Sequence, residues 1–151
     1  MSFLPTWPDV FFDEAYLQIL VPKEFGGSGR DITSLCIVSE EMAKVSASMA
    51  LLVIVQTVGA LPLLLAGNDP QKAKCLPRIQ KDRFIMAFCL TEPLAGSDVG
   101  SMQMTATREG NNYLLNGKKS FVTNGGVADR YIVFAKTQPP KGRRGISACR
   151  Q

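Results

Sequence analysis

The segment "FIMAFCLTEPLAGSDVG", residues 84–100, joins two parts of the sequence with different patterns. Its first part is aromatic, β-branched and apolar without helical punctuation, which predicts a strand over residues 84–90. Its second part gathers hydroxyls, carboxylates, a proline and glycines, which predicts a loop over residues 91–98. The residues before this stretch have a helical pattern and those after it have a strand pattern, so the fold changes character here.

Upstream, small and apolar residues recur at helical spacing after "GGSGRD", which predicts one long helix over residues 31–59. The apolar run over residues 50–66 is shorter than the ~20 residues of a membrane span and contains Gln56, Gly59 and Pro62. It therefore predicts a buried helix that ends near the proline, and no membrane span. In "GNDPQKAKCLPRI", Asp69 is predicted to cap a further helix, with Pro70 at its first position and Pro77 at its end.

Downstream, alternating segments are separated by turn signals. The segment "NYLLNGKKSFVT", residues 112–123, predicts a hairpin with Asn116 and Gly117 in its tight turn. "RYIVFAKT" predicts another strand, followed by an irregular "QPPKGRRG". Helices first and antiparallel strands second define an α+β fold. We predict a helical N-terminal domain over residues 1–82 and a β-domain over residues 83–151.

Composition excludes several classes of protein. With 46% hydrophobic and 20% charged residues, the 151-residue chain is typical of a globular protein. The net charge is +4, and the basic "KGRRG" cluster carries no aromatic residues, so we expect no nucleic-acid partner. The chain has no histidine and its four cysteines form no CxxC pair, so we expect no metal site.

The expected location follows from the cysteines and from the start of the chain. Cysteines without a disulfide pattern are typical of a reducing compartment. "MSFLPTWPDVFFDEAY" lacks the basic and apolar regions of a secretory signal. We therefore expect a cytoplasmic protein, or one of the mitochondrial matrix if the source is a eukaryote with a lost transit peptide.

Two segments carry candidate binding chemistry. In the loop after residue 90, Thr91 and Ser97 offer small hydroxyls, and Gly96 lets a ligand approach the main chain, whose amides can cradle phosphate oxygens. In "KSFVTNGG", an aromatic side chain and the Thr123 hydroxyl could lie along a flat heterocycle on one strand. From composition alone, both segments are equally compatible with ordinary turns.

Four segments taken together resemble the acyl-CoA dehydrogenase family, in the same order and at similar spacings. They are "PKEFGGSGRD", "FCLTEPLAGSDVGS", "YLLNGKKSFVTNGGVAD" and "YIVFAKT". The resemblance covers most of the chain. It implies a flavoprotein with a helical N-terminal domain, a middle β-domain and a helical C-terminal domain, assembled as a homo-oligomer.

The resemblance also implies FAD as the cofactor and a position for it. Leu90 and Thr91 would lie near the isoalloxazine ring, and Gly96 and Ser97 near the pyrophosphate, with Ser97 also approaching the acyl-CoA. The Thr123 hydroxyl would bond the ring nitrogen that accepts hydride. The complete set of implied cofactor-binding residues is Phe88, Cys89, Leu90, Thr91, Gly96, Ser97, Phe121, Val122 and Thr123.

The implied reaction is α,β-dehydrogenation of an acyl-CoA thioester: a carboxylate removes the α proton while the β hydride passes to the flavin. An electron-transfer flavoprotein is the implied electron acceptor. In the family the glutamate base belongs to the C-terminal helical domain, whereas this sequence stops at "GISACRQ", so we assign no catalytic residue. We expect a fragment that is inactive alone.

Departures from the family pattern are small within the matched part. Phe121 stands where many members have tryptophan, and Leu94 where glycine or aspartate is common. Two alternatives stay open: a non-catalytic module that binds flavin or another protein, and an acyl-CoA oxidase or flavin monooxygenase of the same superfamily.

Overall fold

The computed structural model describes residues 7–150, and side chains from residue 9 onward. The chain divides into two compact units, the first ending at Met86 and the second beginning at Ala87. The first is helical and the second is built on a five-stranded sheet, which confirms the α+β class. The helices and strands are α1 (Trp7–Asp13), α2 (Ile32–Val45), α3 (Ala47–Ala66), α4 (Asp69–Lys81), β1 (Met86–Cys89), β2 (Thr105–Glu109), β3 (Asn112–Asn116), β4 (Arg130–Lys136) and β5 (Ile146–Arg150).

The single helix predicted over residues 31–59 is wrong, because the chain forms two helices that meet at Ser46. Ser46 is extended, with φ −154°, and its N–H closes α2 on the Met42 carbonyl at 2.8 Å. Its hydroxyl oxygen accepts from the Met49 N–H and so caps α3. A serine side chain competes with the helical backbone for such bonds. Apolar spacing is kept on both sides of Ser46, so periodicity alone could not reveal the break.

Helix α3 continues past Pro62 to Ala66, where the Gly67 N–H bonds the Leu63 carbonyl. Pro62 has no N–H to bond one turn back, so the helix passes it with one hydrogen bond fewer. Among the described residues, α3 is the one helix long and apolar enough to cross a membrane, with 33% of its span buried in the protein. Core helices of water-soluble proteins meet the same criterion.

Helix α4 begins one residue earlier than predicted. Asn68 is the cap: its side chain accepts from the Gln71 N–H at 2.9 Å, and the Gln71 side chain accepts from the Asn68 N–H at 3.0 Å. This reciprocal pair is a capping box, so Asn68 is the cap and Asp69 becomes the first residue of the helix. Pro77 does not end the helix, because Leu76 and Ile79 on either side of it are fully buried and hold the last turn in place.

The first unit is held by an apolar cluster and by the buried amide side chain of Gln56. Helices α1, α2 and α3 and the turn at Tyr16–Gln18 contribute the cluster. Gln56 of α3 is 1% exposed, donates to the Phe84 carbonyl at 2.8 Å and accepts from the Met86 N–H at 2.8 Å. This side chain thereby fixes the last residues of the unit. The cluster consists of Phe11, Phe12, Leu17, Ile19, Leu35 and Val53.

The sheet has the order β1-β4-β2-β3, with β5 also paired to β4. The pairs β2–β3 and β4–β5 are antiparallel as predicted. The β2–β4 contact is parallel, at Thr105 and Lys136, so the purely antiparallel expectation is corrected to a mixed sheet. Alternate residues of the sheet enter its core, as the two-residue strand period requires. That core consists of Ala87, Cys89, Met104, Ala106, Val133 and Ala135.

The predicted hairpin is also wrong in its partner. Strand β3 pairs with the preceding strand β2, through a turn at Gly110 and Asn111, and not with the residues that follow it. The chain leaves the sheet after Asn116. Gly117 is required for a different reason. A Cβ there would lie 2.8 Å from the Met104 Cα, so the main chain passes too close to Met104 for any side chain.

We predict that Gln56→Leu, which keeps the volume of the side chain, lowers the stability of the first unit. The substitution removes both buried hydrogen bonds, at a cost of about 1–3 kcal/mol for each buried group affected. Urea unfolding followed by far-UV circular dichroism measures the change. Ser48→Ala, at an exposed position of the same helix, is the control. An unfolding midpoint for Gln56→Leu equal to that of the control would contradict the bridging role of Gln56.

Candidate functional site

The loop after β1 forms a closed turn. The Glu92 N–H donates to the Ala95 carbonyl at 2.9 Å, and the Ala95 N–H donates back at 3.2 Å. The Ser101 hydroxyl donates to the Asp98 carboxylate at the next turn. Between these two turns Gly96 and Ser97 are exposed. The predicted loop is therefore made of turns, and it presents the glycine and the hydroxyl at the surface.

Approach to this loop is open at Gly96, because a Cβ placed there would meet nothing within 4 Å. Thr91 and Leu90 at the start of the loop are half-buried. The main chain at Gly96 and the adjoining Ser97 hydroxyl can therefore contact a ligand directly. Such a surface suits phosphate oxygens.

The second candidate segment, Phe121, Val122 and Thr123, does not form the predicted strand. The chain has already left the sheet, and a turn follows in which the Gly125 N–H bonds the Val122 carbonyl at 3.0 Å. Val122 packs against the sheet core, whereas Phe121 is 93% exposed. Phe121 also has a left-handed backbone, with φ 54°. An aromatic ring is thus presented to solvent beside the half-buried Thr123.

The two candidate segments are joined directly. The Ser120 N–H donates to the Thr91 carbonyl at 2.8 Å. The Lys119 ammonium donates to the Leu90 carbonyl at 2.9 Å, across 29 positions of sequence. Thr123 follows Ser120 by three residues, a reach of at most about 11 Å of extended chain. That Thr91 and Thr123 lie on one rim stays a prediction, and these bonds favour it.

A buried ion pair lies next to the junction of the two segments, which is formed by the bonds of Lys119 and Ser120 to Leu90 and Thr91. Lys119 Nζ is 2.8 Å from Glu92 Oε1, with the two side chains 7% and 4% exposed. The Glu92 carboxylate also accepts from the N–H groups of Gln103 and Met104, the latter at 3.0 Å. Leaving one partner of a buried pair without the other costs about 3–5 kcal/mol, so the pair strongly constrains the surrounding segments.

The charge state of Glu92 follows from these contacts. Burial raises the pKa of its carboxyl, but the hydrogen bonds from Gln103, Lys119 and Met104 and the charge of Lys119 outweigh burial, so the pKa is below its usual value. Glu92 is therefore ionised at neutral pH. Its carboxylate is saturated with donors and shielded from solvent.

The remaining implied cofactor residues lie on β1, where side chains alternate between the faces of the sheet. Cys89 is 5% exposed in the sheet core, and burial raises the pKa of its thiol although the Lys119 charge opposes this. Only the main chain of Cys89 is thus available to a ligand. Phe88 is half-buried, with its ring centroid 5.1 Å from that of Phe134. Their roles toward a cofactor stay predictions.

Glu92 and Lys119 were missed as functional candidates from the sequence. In the sequence, Glu92 is one of two carboxylates in the predicted loop over residues 91–98, and Lys119 follows an Asn-Gly pair in a charged "KK" dipeptide. The available signal was an acidic residue directly after an apolar strand, where a carboxylate becomes buried and needs a cation. Spacing along the chain could not identify that cation.

Among residues 9–150, no group of three or more cysteine, aspartate or glutamate side chains is placed to hold a metal ion. The four cysteines are free thiols, and Cys36 is the exposed one. The surface of the second unit instead offers an aromatic ring, small hydroxyls and an approachable glycine. These groups fit the flat heterocycle and the phosphates of a flavin dinucleotide.

Comparisons with known proteins identify the family of the chain. Residues 9–83 match the model of the acyl-CoA dehydrogenase N-terminal domain, and residues 87–150 match that of the middle domain. The chain is 47% identical over 133 residues to an acyl-CoA dehydrogenase of Bacillus subtilis, covering 87% of this chain and 35% of the relative. The chain therefore spans about a third of the length of that curated relative.

Solved structures give the same result. Butyryl-CoA dehydrogenase from Megasphaera elsdenii superposes with a TM-score of 0.86 at 37% identity, over 95% of this chain and 39% of that one. The FAD complex of PigA superposes with a TM-score of 0.82 at 32% identity, over 95% and 39% of the two chains. The fold and the matches define a family of flavoprotein oxidoreductases. The chain belongs to the acyl-CoA dehydrogenase family.

We predict that the second unit loses stability in acid through Glu92. Since the folded pKa of Glu92 is lowered, its stabilising contribution is complete above the usual carboxyl pKa and is lost as pH falls through the lowered value. The double variant Glu92→Gln with Lys119→Met removes both charges and should show a flatter decline in stability. Urea unfolding from pH 7 down to acid pH measures this. Glu109→Gln, at an exposed position of β2, should keep the wild-type decline, and equal slopes for all three proteins would contradict the assignment.

Proposed function

We propose that this chain supplies two walls of the FAD site in an acyl-CoA dehydrogenase that oxidises an acyl-CoA thioester at its α and β carbons. The observation that carries the proposal is the direct bonding of the two candidate segments, Ser120 N–H to the Thr91 carbonyl and Lys119 to the Leu90 carbonyl. These bonds support the proposal that two segments distant in sequence form one surface. That surface has the aromatic, hydroxyl and glycine groups that a flavin dinucleotide requires.

The residues have distinct proposed roles. Leu90 and Thr91 form one wall beside the isoalloxazine ring, and Phe121 and Val122 belong to the other wall together with Thr123. Thr123 donates a hydrogen bond that orients the ring. When bound, FAD supplies the acceptor for the hydride from the substrate β carbon, a chemistry that side chains lack.

The phosphate end of the site is proposed to lie at the tip of the loop. Gly96 admits the pyrophosphate to the main chain, because nothing occupies the space where a Cβ would lie. Ser97 is exposed beside it and is proposed to contact both the pyrophosphate and the acyl-CoA. The adjoining turn at Glu92 and Ala95 keeps this tip in a fixed conformation.

Glu92 is not proposed as the base that removes the α proton. Its carboxylate is 4% exposed and is held by Lys119 and two backbone N–H groups, so it can neither reach a substrate nor accept a proton readily. A lowered pKa makes it a weak base. We propose that the base is a glutamate in the part of the family protein that this chain does not span.

The proposed partners are an acyl-CoA substrate, an electron-transfer flavoprotein and further copies of the protein in a homo-oligomer. The proposed location is the cytoplasm, or the mitochondrial matrix in a eukaryote. A dehydrogenase differs from an oxidase of the same superfamily in its electron acceptor. Comparing electron-transfer flavoprotein with dioxygen as the oxidant of the complete protein therefore separates these two activities.

One observation favours a second function, that of a protein-interaction module. Several apolar side chains on the two long helices are largely exposed, which is typical of surfaces that other polypeptide covers. Val45 is 89% exposed and Leu65 is 76% exposed. A chain that folds but binds no flavin would favour this second function.

We predict that the 151-residue chain quenches FAD fluorescence and that Phe121→Ala weakens binding. Loss of one aromatic contact costs about 0.5–1.5 kcal/mol, or roughly twofold to twelvefold in Kd. Fluorescence titration measures the change. Tyr113→Ala is the matched control, since Tyr113 is an exposed aromatic residue of β3. Equal weakening by both substitutions would contradict a specific role for Phe121.

We also predict that this polypeptide alone, saturated with FAD, gives no measurable acyl-CoA dehydrogenation. General-base assistance contributes about 10²–10⁴-fold, and Glu92 cannot supply it. The assay follows bleaching of an artificial electron acceptor with acyl-CoA substrates of several lengths, beside a complete relative. Turnover within about tenfold of the relative would show that a carboxylate of this polypeptide serves as the base.

A further inference from the structure

We propose that Glu92 and Lys119 are positioning residues: they hold the two segments that flank the proposed flavin, residues 90–97 and residues 120–123, at a fixed separation. The inference rests on the proposed function for the identity of the ligand. The holding of the segments themselves is a property of this chain and can be measured without any ligand.

Lys119 is the link between the segments. It directly precedes Ser120, at the start of the second segment, while its ammonium reaches across to the first. There it donates to the Leu90 carbonyl at 2.9 Å and to Glu92 Oε1 at 2.8 Å. Two of its three N–H groups therefore bind consecutive parts of the same loop. The Ser120 N–H adds a parallel bond to the Thr91 carbonyl.

Glu92 connects this link to the sheet. One carboxylate oxygen accepts from Lys119 and from the Met104 N–H, and the other accepts from the Gln103 N–H. The Met104 carbonyl in turn accepts from the Lys136 N–H at 2.8 Å, which fixes this stretch to the end of β4. The loop, the second segment and the sheet thus share one carboxylate. The position of the ammonium is set by the sheet and not by solvent.

A stabilising role alone does not explain this choice of residues. Two apolar side chains of similar volume can replace a buried ion pair with little loss of stability, and often with a gain. An apolar pair, however, has no directional bonds to the Leu90 carbonyl or to the N–H groups before β2. What the ion pair adds is a defined geometry between the two segments.

The first experiment uses the flavin-free 151-residue chain and amide hydrogen exchange. In Lys119→Met, exchange of the Ser120 amide should become at least about tenfold faster, since a hydrogen bond to a charged group is lost at the junction. The amides of β2 and β3 should keep their protection. Lys118→Met is the matched control, because Lys118 is the neighbouring lysine and is exposed.

A second variant controls for unfolding caused by the buried Glu92 charge, which Lys119→Met leaves without its cation. Glu92→Gln with Lys119→Met leaves no isolated charge at the junction, and protection of the β2 and β3 amides reports whether the sheet has formed. Wild-type exchange at Ser120 in either folded variant would overturn the inference. Loss of the sheet in both variants would overturn it too, because the pair would then be required for the fold itself.

Titration of FAD into the same proteins tests the link to the ligand. The folded double variant should bind FAD at least about tenfold more weakly than wild type, with Lys118→Met unchanged. If wild type binds FAD and the double variant binds equally tightly despite faster exchange at Ser120, the inference is wrong and the proposed function stands. If wild type binds no FAD, the proposed function is wrong, and the exchange result alone decides whether the pair holds the segments.

Discussion

A carboxylate removed from water must find its donors inside the protein, and this requirement at Glu92 organises the second unit. Burial alone would favour the neutral acid, so the ionised form persists only because Lys119 and the N–H groups of Gln103 and Met104 all point at it. None of these donors is close to Glu92 in sequence: Gln103 and Met104 lie just before β2, and Lys119 lies just after β3. Satisfying one charge therefore fixes the loop after β1, the approach to β2 and the exit from β3 together.

The order of elements could be predicted from the sequence because it depends on local patterns, such as helical spacing before residue 82 and strand composition after it. The errors arose where two local solutions compete. Ser46 can sit inside a helix or cap the next one, and it caps. Gly117 can make a tight turn or allow close packing, and it lies against Met104. At Ser46 the competing bonds are local, to the Met42 carbonyl and the Met49 N–H, whereas at Gly117 a contact 13 residues away decides the outcome.

The candidate site shows the same division. The loop at Thr91 and the segment at Phe121 could be found from their residue types and, as a set, from resemblance to a family. Their junction could not, because the partner of Glu92 lies 27 residues away. Phe121 to Thr123 were expected on a strand, yet they lie on a turn that only the departure of the chain from β3 explains. The sequence therefore shows which residue types could bind a ligand, whereas the contact between Glu92 and Lys119 can be found only from the fold.

Phe121 combines a left-handed backbone with a ring that is 93% exposed. For a residue with a side chain that conformation costs about 1–2 kcal/mol, and the ring recovers little of it by packing. The bonds of Ser120 and Val122 on either side hold the residue there. Glycine would relax this turn and would also delete the ring. Stability and the proposed ligand contact are thus opposed at a single residue, and a sequence selected only for resistance to unfolding would not keep phenylalanine at this position.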